Sequence, residues 1–435
     1  MDRLAIFWFR RDLRLDDNHG LYLALNSGYK VLPLFIFDSE ILNTLDNPYD
    51  VRVQFIYDRI ITLKTKLNKI GSDILIRYGS PETVFRKLLS DFQIQAVYAN
   101  IDFESYAKKR DNIIESLLNE NGIKLNLSLD HLISHPNFVL KADQTPYTVF
   151  TPYSNKWKES IKEPAIYPSE TLFDSFLKTA IESAPTLNDI GFKKSNWPDH
   201  LSIEPPPINP ELIINYHQTR DIPSLMGTSR LGVHLRFGTL SIRSLFKETV
   251  SLNATFINEL IWREFYAMIL HQFPHVEQHP FKKEYERIKW ENDSGSFDRW
   301  KEGSTGFPLV DAGMRELNQT GYMHNRVRMV TASFLTKHLL IDYRLGEAWF
   351  AAKLLDFDLA SNNGGWQWAA STGCDAAPYF RIFNPTLQQE RFDPHFNYIK
   401  KWVPEFGSLN YVKPMVNHAQ ARERAIKRYK EGLSS

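Results

Sequence analysis

The chain has one cysteine in 435 residues, Cys374. That excludes a disulfide within the chain and any zinc or iron–sulfur centre held by a set of its own thiolates. Such scarcity points to a reducing compartment. Long apolar runs are missing too: nothing approaches the ~18 consecutive apolar residues of a membrane span. The N-terminal MDRLAIFWFRRDLRLDD holds only a short apolar run, LAIFWF, between charges, which reads as a strand and not as a secretory leader. The expectation is a soluble cytoplasmic protein. Neither sign of charge dominates, with 52 Lys and Arg against 51 Asp and Glu for a net +1, so no global basic field announces nucleic acid. Residues 381–435 lean mildly basic, with ten Lys and Arg against five Asp and Glu. The chain carries no G-x-G-x-x-G, P-loop, G-x-S-x-G or H-E-x-x-H motif, which leaves a dinucleotide cradle of the usual kind, serine hydrolysis and zinc peptidase chemistry without support. No metal site is expected.

What is present falls into two halves. The length is large for one core, and 43% hydrophobic residues can fill more than one. In the first 130 residues, apolar runs at Leu4–Phe9, Val31–Phe37, Asp73–Tyr78, Ala96–Ala99 and Lys124–Leu129 predict strands. Val51–Ile70 and Ser105–Glu120 have helical spacing between them, and Gly71 and Asn121-Gly122 act as stop signals. This alternation predicts a doubly wound parallel sheet. Residues 131–207 are studded with proline and carry Phe150, Tyr153 and Trp157, which reads as a long packed connection. From about 208 onward the strand signals stop. Phe256–His271, Leu309–Thr320, Val327–Leu340 and Glu347–Phe357 are periodic, and seven of the ten tryptophans lie between 262 and 402. The expected architecture is α/β followed by all-α: an α/β domain at 1–130, a linker at 131–207 and a helical domain at 208–435.

Several constellations in the second half could carry chemistry. Residues 361–385, SNNGGWQWAASTGCDAAPYFRIFNP, set Trp366 and Trp368 two apart among amides and small residues, where a core segment would use Leu, Ile or Val. Glycine there permits close backbone approach and the indoles offer stacking faces, so a flat polar ligand is expected against this stretch. Thr228-Ser229-Arg230-Leu231 follows Gly227 and precedes a helical segment: two hydroxyls and a cation beside a helix start suit a diphosphate, or form an ordinary N-cap. Glu259, Trp262 and Arg263 share a helix face by their spacing. In Met323–Met329, Asn325 and Met329 share a face, and His324 reads as structural or capping, since no second ligand at metal spacing accompanies it. Asp356-Phe357-Asp358 could do acid–base work or pair with arginines such as Arg328. Aromatic, amide and arginine groups around an anion site suit a bound aromatic nucleotide that does redox work.

FWFRRDLRLDDN at 7–18, GTSRLGVHLRFGTLSIR at 227–243, ELIWREFY at 259–266, GYMHNRVRM at 321–329 and NNGGWQWAASTGCDAAPYFRIFNP at 362–385 resemble, in order, segments of the cryptochrome/photolyase family, closest to class I cyclobutane pyrimidine dimer photolyases. The resemblance covers nearly the whole chain. It implies an antenna domain, a linker and a helical domain holding FAD, active as reduced FADH⁻. Tyr216, Thr228, Ser229, Arg230 and Leu231 match positions around the FAD phosphates, and Phe256 a position lining the cofactor cavity. Arg328 and Asp356 would pair beside the flavin, with Phe357 and Asp358 among the cofactor contacts, and Asn362 would face flavin N5. The resemblance further implies light-driven electron transfer to a dimer flipped out of UV-damaged DNA, which splits the ring with no net redox change. Glu259, Asn325, Met329, Trp262 and Trp368 would form the lesion cavity, where stacking is worth ~1–3 kcal/mol per base. Arg220, Arg263, Arg326, Arg381 and Gln388 would contact DNA. Trp366 matches the inner and Trp290 the outer member of an aromatic relay whose middle position is Tyr343, with Trp349 as a detour. Asn100–Asp111 looks like an antenna-lining segment, while Glu277 stands near where folate-binding members can carry Lys. A folate, a deazaflavin, a flavin or no second chromophore are all open. No obligate protein partner is implied, and a monomer is expected. A cryptochrome-type light sensor is the alternative, against which stand the short stretch after Pro404 and the complete lesion walls. A photolyase for (6-4) lesions would be expected to carry a histidine where Asn325 stands.

Overall fold

The structure is a computed structural model that describes residues 3–179 and 183–434. The chain forms two compact units, each assembled from separate stretches: Met1–His135, Ile161–Ile208 and Leu231–Glu248 in the first, and Pro136–Ser160, Asn209–Arg230 and Thr249–Ser435 in the second.

The first unit is built on a five-stranded sheet of order β3-β2-β1-β4-β5, every pairing parallel. The strands are β1 Leu4–Phe9, β2 Lys30–Asp38, β3 Leu75–Gly79, β4 Ile94–Asn100 and β5 Lys124–Ser128. All of β1 (LAIFWF) is buried, which requires cover on both sheet faces and explains why its sequence is continuous apolar instead of alternating. Helices His19–Leu25, Val51–Asn68, Pro81–Asp91 and Ser105–Glu120 supply that cover. Asn18, Asp50 and Ser80 each cap a helix through a side-chain oxygen, and Pro81 occupies the first turn where its missing N–H costs nothing. The third strand begins two residues later than its apolar run suggests, because Asp73 turns aside to accept Lys64 Nζ at 2.6 Å and the Ile74 N–H at 2.8 Å. The Val51 helix ends at Asn68, ahead of Gly71 at φ +75°.

A buried ionic cluster closes this unit. Arg14 and Arg243 both reach Asp130, at 2.8 and 2.9 Å, and Arg243 also reaches Asp17 at 3.0 Å. Burial pushes Asp130 up, but the two guanidiniums more than offset it and hold the carboxyl at about 2. The 227–243 segment is thereby divided: Arg243 belongs to the sheet unit, while Thr228–Arg230 belongs to the helical one.

Among the described residues the second unit has helices and no named strand. Its core gathers Trp300, Phe334, Tyr343, Trp366 and Tyr398, all buried. The Val327–Leu340 periodicity resolves into a helix Asn325–Ser333 and a π-turn Phe334–His338, and the Glu347–Phe357 periodicity into a helix Tyr343–Lys353 capped by Asp342. Residues Leu359–Ala370 form a helix. Trp366 and Trp368 therefore lie roughly 200° apart around it, Trp366 buried and Trp368 half-buried. The glycines of this helix differ in use. A Cβ on Gly364 would meet Tyr266 at 2.1 Å, so its smallness serves packing against the Ala254–Gln272 helix, whereas a Cβ on Gly365 would meet nothing within 4 Å. No helix among the described residues is long and apolar enough to cross a membrane.

Candidate functional site

In the helical unit, arginines gather around Tyr322. The Arg230 guanidinium lies 4.6 Å from the ring centroid and that of Arg328 5.9 Å, while Thr228 Oγ1 is 3.3 Å from the Tyr322 hydroxyl. Arg328 donates to Asp356 at 3.0 Å and to the Met323 carbonyl at 2.7 Å. Burial lowers the Arg328 pKa, and Asp356 together with Tyr322 and Glu316 more than offsets it, so Arg328 stays charged. Asp356 pairs with Arg328, and the buried Glu316 carboxyl feels both Arg230 and Arg328. Arg230 is also held at φ +52°, a conformation that non-glycine residues rarely adopt. The helix after Leu231 is only Gly232–Arg236, and Leu231 caps it without a side-chain bond. The positive character expected here accordingly comes from arginines and not from a helix dipole. Leu231 itself falls in the first unit, and Ser229 is half-buried.

His324 caps the Asn325 helix, its Nδ1 accepting the Arg326 N–H at 3.2 Å. Burial lowers it to about 4, so the ring is neutral, and its buried Nε2 has no partner among the described residues. Tyr216 packs edge-on against Phe256 at 5.3 Å, and burial raises its hydroxyl pKa.

The helix bearing the two tryptophans organises the next group. Asp358 caps it through Ser361 at 3.1 Å, with Phe357 packed against the core beside it. Asn362 Nδ2 donates to the Glu347 carbonyl at 3.1 Å, which turns its Oδ1 the other way. Asn363 Nδ2 donates to the Val276 carbonyl and to Glu347 Oε1, at 2.8 and 3.0 Å. Burial raises Glu347 to about 7, with Asn363 and Arg344 pulling against it. Trp366 packs on Gly346 and meets Trp300 edge-on at 6.1 Å and Phe350 at 4.9 Å. Of the expected relay residues, Tyr343 has a buried hydroxyl without a hydrogen-bond partner among the described residues, Trp349 lies under the ammonium groups of Lys301 and Lys353, and Trp290 meets Tyr429 at 5.9 Å.

The expected lesion walls are half-buried. Trp262 stacks flush on Phe150, with centroids 3.7 Å apart and planes 4° apart. Trp368 leans toward Phe383 at 6.4 Å. Glu259 accepts Arg220 at 2.5 Å; burial pushes its carboxyl up and Arg220 pulls it down. Arg326 donates to Asp221 at 2.8 Å, lies over Phe392 and reaches Met329 Sδ at 3.7 Å, while Asn325 is exposed in the first turn of the same helix. Arg263 and Gln388 are half-buried and Arg381 is exposed.

Sequence reasoning did not find Tyr322, Asp221, Phe150, Trp300 or Glu347. Asp221 adjoins Arg220 and could have been suspected as its brace. Phe150 and Trp300 carry no local signal, because their partners lie far along the chain.

Comparison with known proteins places this geometry. A model described as DNA photolyase matches residues 5–169, and one described as the FAD binding domain of DNA photolyase matches residues 256–410. A curated deoxyribodipyrimidine photo-lyase of Alkalihalophilus pseudofirmus is 37% identical over 99% of this chain and 98% of its own. Among solved structures, an archaeal photolyase from Sulfolobus tokodaii with two FAD molecules superposes with a TM-score of 0.84 at 34% identity, covering 98% of this chain and 100% of that one. A Synechocystis cryptochrome gives 0.85 at 26%, covering 98% and 99%.

Proposed function

The chain belongs to the DNA photolyase family, and on that premise we propose that it is a deoxyribodipyrimidine photo-lyase that repairs cyclobutane pyrimidine dimers in DNA under light, with FAD as its cofactor. The observation that carries this reading is the corner at Tyr322. Two guanidiniums lie over one ring, Arg328 pairing with Asp356 and both within the field of Glu316, beside a hydroxyl and a buried imidazole nitrogen without a partner among the described residues. That donor set fits an anionic ligand with polar edges, as FAD is.

FAD, when bound, supplies the light-driven electron chemistry. The chain's own residues bind and orient. Thr228, Ser229 and Arg230 would hold the diphosphate with Tyr216, Leu231 and Phe256 around it, and Arg328 with Asp356, Phe357 and Asp358 would line the ring system. Asn362, whose Nδ2 is held by the Glu347 carbonyl, would present its Oδ1 to the cofactor. An amide cannot deliver a proton as a carboxylic acid can, so Asn362 supports the anionic reduced flavin. On the lesion side, Trp262 and Trp368 would stack a flipped dimer, Asn325 and Met329 would complete the wall, and Glu259 would bond the base edges. Burial favours the protonated form of Glu259, which could donate such a bond. Arg220, Arg263, Arg326, Arg381 and Gln388 would contact DNA.

We further propose an antenna function in 1–130, with a folate, a deazaflavin, a flavin or no second chromophore, a linker at 131–207, a flavin- and DNA-binding region at 208–435, and action as a monomer in the cytoplasm. Trp366, Tyr343, Trp290 and Trp349 remain the proposed relay. The Tyr343 hydroxyl makes no hydrogen bond among the described residues, and two cations disfavour positive charge on Trp349. Trp300, edge-on to Trp366 at 6.1 Å, is a further candidate for the middle step, and Trp300→Phe is accordingly expected to slow light-driven loss of oxidised-flavin absorbance more than Tyr343→Phe does.

The deciding experiment illuminates the FAD-loaded, reduced protein with dimer-containing oligothymidylate and follows absorbance at 260 nm. Recovery in light and none in the dark is expected. Flavin photoreduction without any recovery would overturn repair and favour the sensor reading, to which the similarity to a cryptochrome structure lends weight.

A further inference from the structure

One face of Trp262 is already taken by the chain itself. Phe150 stacks on it with ring centroids 3.7 Å apart and planes 4° apart, and Phe265, which is fully buried, meets both rings at steep angles, 5.8 Å from Phe150 and 5.6 Å from Trp262. Tyr266 also lies 5.3 Å from the indole at a tilt of 34°, so three aromatic rings of the chain brace Trp262, with Phe150 stacked flush on one face. Phe150 opens the helix Phe150–Ser160, which is fastened to the Trp262 helix along its length. Tyr153 meets Phe265 at 5.2 Å, Trp157 Nε1 donates to Glu264 at 3.2 Å and Lys158 donates to Asn258 at 2.6 Å. The first N–H of that helix needs an acceptor from elsewhere. It is Asp375, 225 residues away, whose Oδ2 accepts the Phe150 N–H at 3.0 Å. Asp375 stands in the loop that leaves the Trp368 helix, at φ +46°, a left-handed conformation that aspartate tolerates.

We propose that Phe150 and Asp375 are positioning residues for lesion recognition: Phe150 backs the Trp262 ring and fixes its plane, and the Asp375 carboxylate holds Phe150 in register with the loop that follows Trp368. The two stacking walls are thereby set at fixed planes before DNA arrives, so the ordering cost is met on folding and not on binding. The inference rests on the reading of Trp262 as a lesion wall.

The test uses full-length, FAD-loaded protein and four variants, Phe150→Leu, Asp375→Ala, Asp375→Asn and Trp262→Ala. Kd is measured in the dark by fluorescence anisotropy for a thymine-dimer oligonucleotide and its undamaged counterpart, and repair rate at saturating DNA in the light. Phe150→Leu is expected to raise Kd for the damaged oligonucleotide roughly tenfold, about the loss of one stacking contribution. Undamaged DNA should bind as before, and the saturated repair rate should fall far less than the affinity. Asp375→Ala should give a smaller loss of the same kind, and Asp375→Asn should restore binding because its amide oxygen still accepts the Phe150 N–H. If Trp262→Ala weakens damaged-DNA binding and Phe150→Leu does not, the positioning role is wrong while the wall stands. If neither variant changes it, the wall reading itself fails. Equal losses for damaged and undamaged DNA with reduced flavin content would mark Phe150 as a general packing residue and also overturn the proposal.

Discussion

In the sheet unit Arg14 and Arg243 converge on Asp130 and Asp17 with side chains no more than 7% exposed, whereas in the helical unit Arg220 and Arg326 converge on Asp221 and Glu259 with side chains 17–40% exposed. The pairing chemistry is the same and the consequence is opposite. Removed from water, the first cluster cannot lose a partner without stranding a buried charge. Left in partial contact with water, the second is worth little as a set of pairs, and a phosphate can replace a carboxylate on either arginine at small cost. Exposure, more than the identity of the partners, separates arginines that hold the fold from arginines that can hold DNA.

The contrast predicts its largest effect at Asp130. Asp130→Asn should cost ~3–5 kcal/mol, the usual loss when one partner of a buried pair is removed, read as a lower urea midpoint. The carboxyl is held down at about 2 from an ordinary 3.8, so its contribution is complete above the ordinary value and is lost as pH falls through about 2. A midpoint unchanged by the substitution would show that the buried cluster is no more than its exposed counterpart.

Glu347 sharpens the contrast by inversion. It is a half-buried carboxyl that accepts from an amide at 3.0 Å, and it rises to about 7 from an ordinary 4.5. The folded state then holds a proton that the unfolded state releases, so stability falls as pH rises from 4.5 to 7 and the cost is complete above 7, at roughly 3 kcal/mol. Glu347→Gln should be more stable than the parent at pH 8 and nearly equal to it at pH 4, by urea unfolding. Equal pH profiles for the two proteins would sink this account.

The smallest effect is expected at Asp221, which braces both Arg220 and Arg326. Asp221→Asn should change stability by less than ~1 kcal/mol. It should also tighten binding to damaged and undamaged DNA alike by about a fewfold, with the gain shrinking as salt rises. A large stability loss would place this cluster with the buried one.

Much of the fold was legible because its signals are local. Leu4–Phe9 and Ser105–Glu120 occur at the limits their sequences suggest, since a continuous apolar run and a stop signal both act over a few residues. The Arg328–Asp356 pair and the capping role of His324 were also legible, each from residue type and the nearest helix. The Val327–Leu340 pattern hid a π-turn, because an inserted residue leaves the apolar pattern intact while changing the backbone. Gly364 looked like a place for a ligand and is a place for Tyr266, because composition shows that room is needed but not what fills it.

The sequence by itself determined the order of elements, the α/β-then-helical class, the family and which residue types could meet a flavin and a lesion. These follow from periodicity, capping and motif order, all properties of neighbouring residues. The tertiary structure alone decided that the 227–243 segment is shared between two units, that Phe150 backs Trp262, that Trp300 stands beside Trp366 and which arginines are buried with their acids. Each of these depends on contacts between residues tens to hundreds of positions apart, and what a side chain does there is set by burial and by its partner, neither of which is written in its immediate sequence.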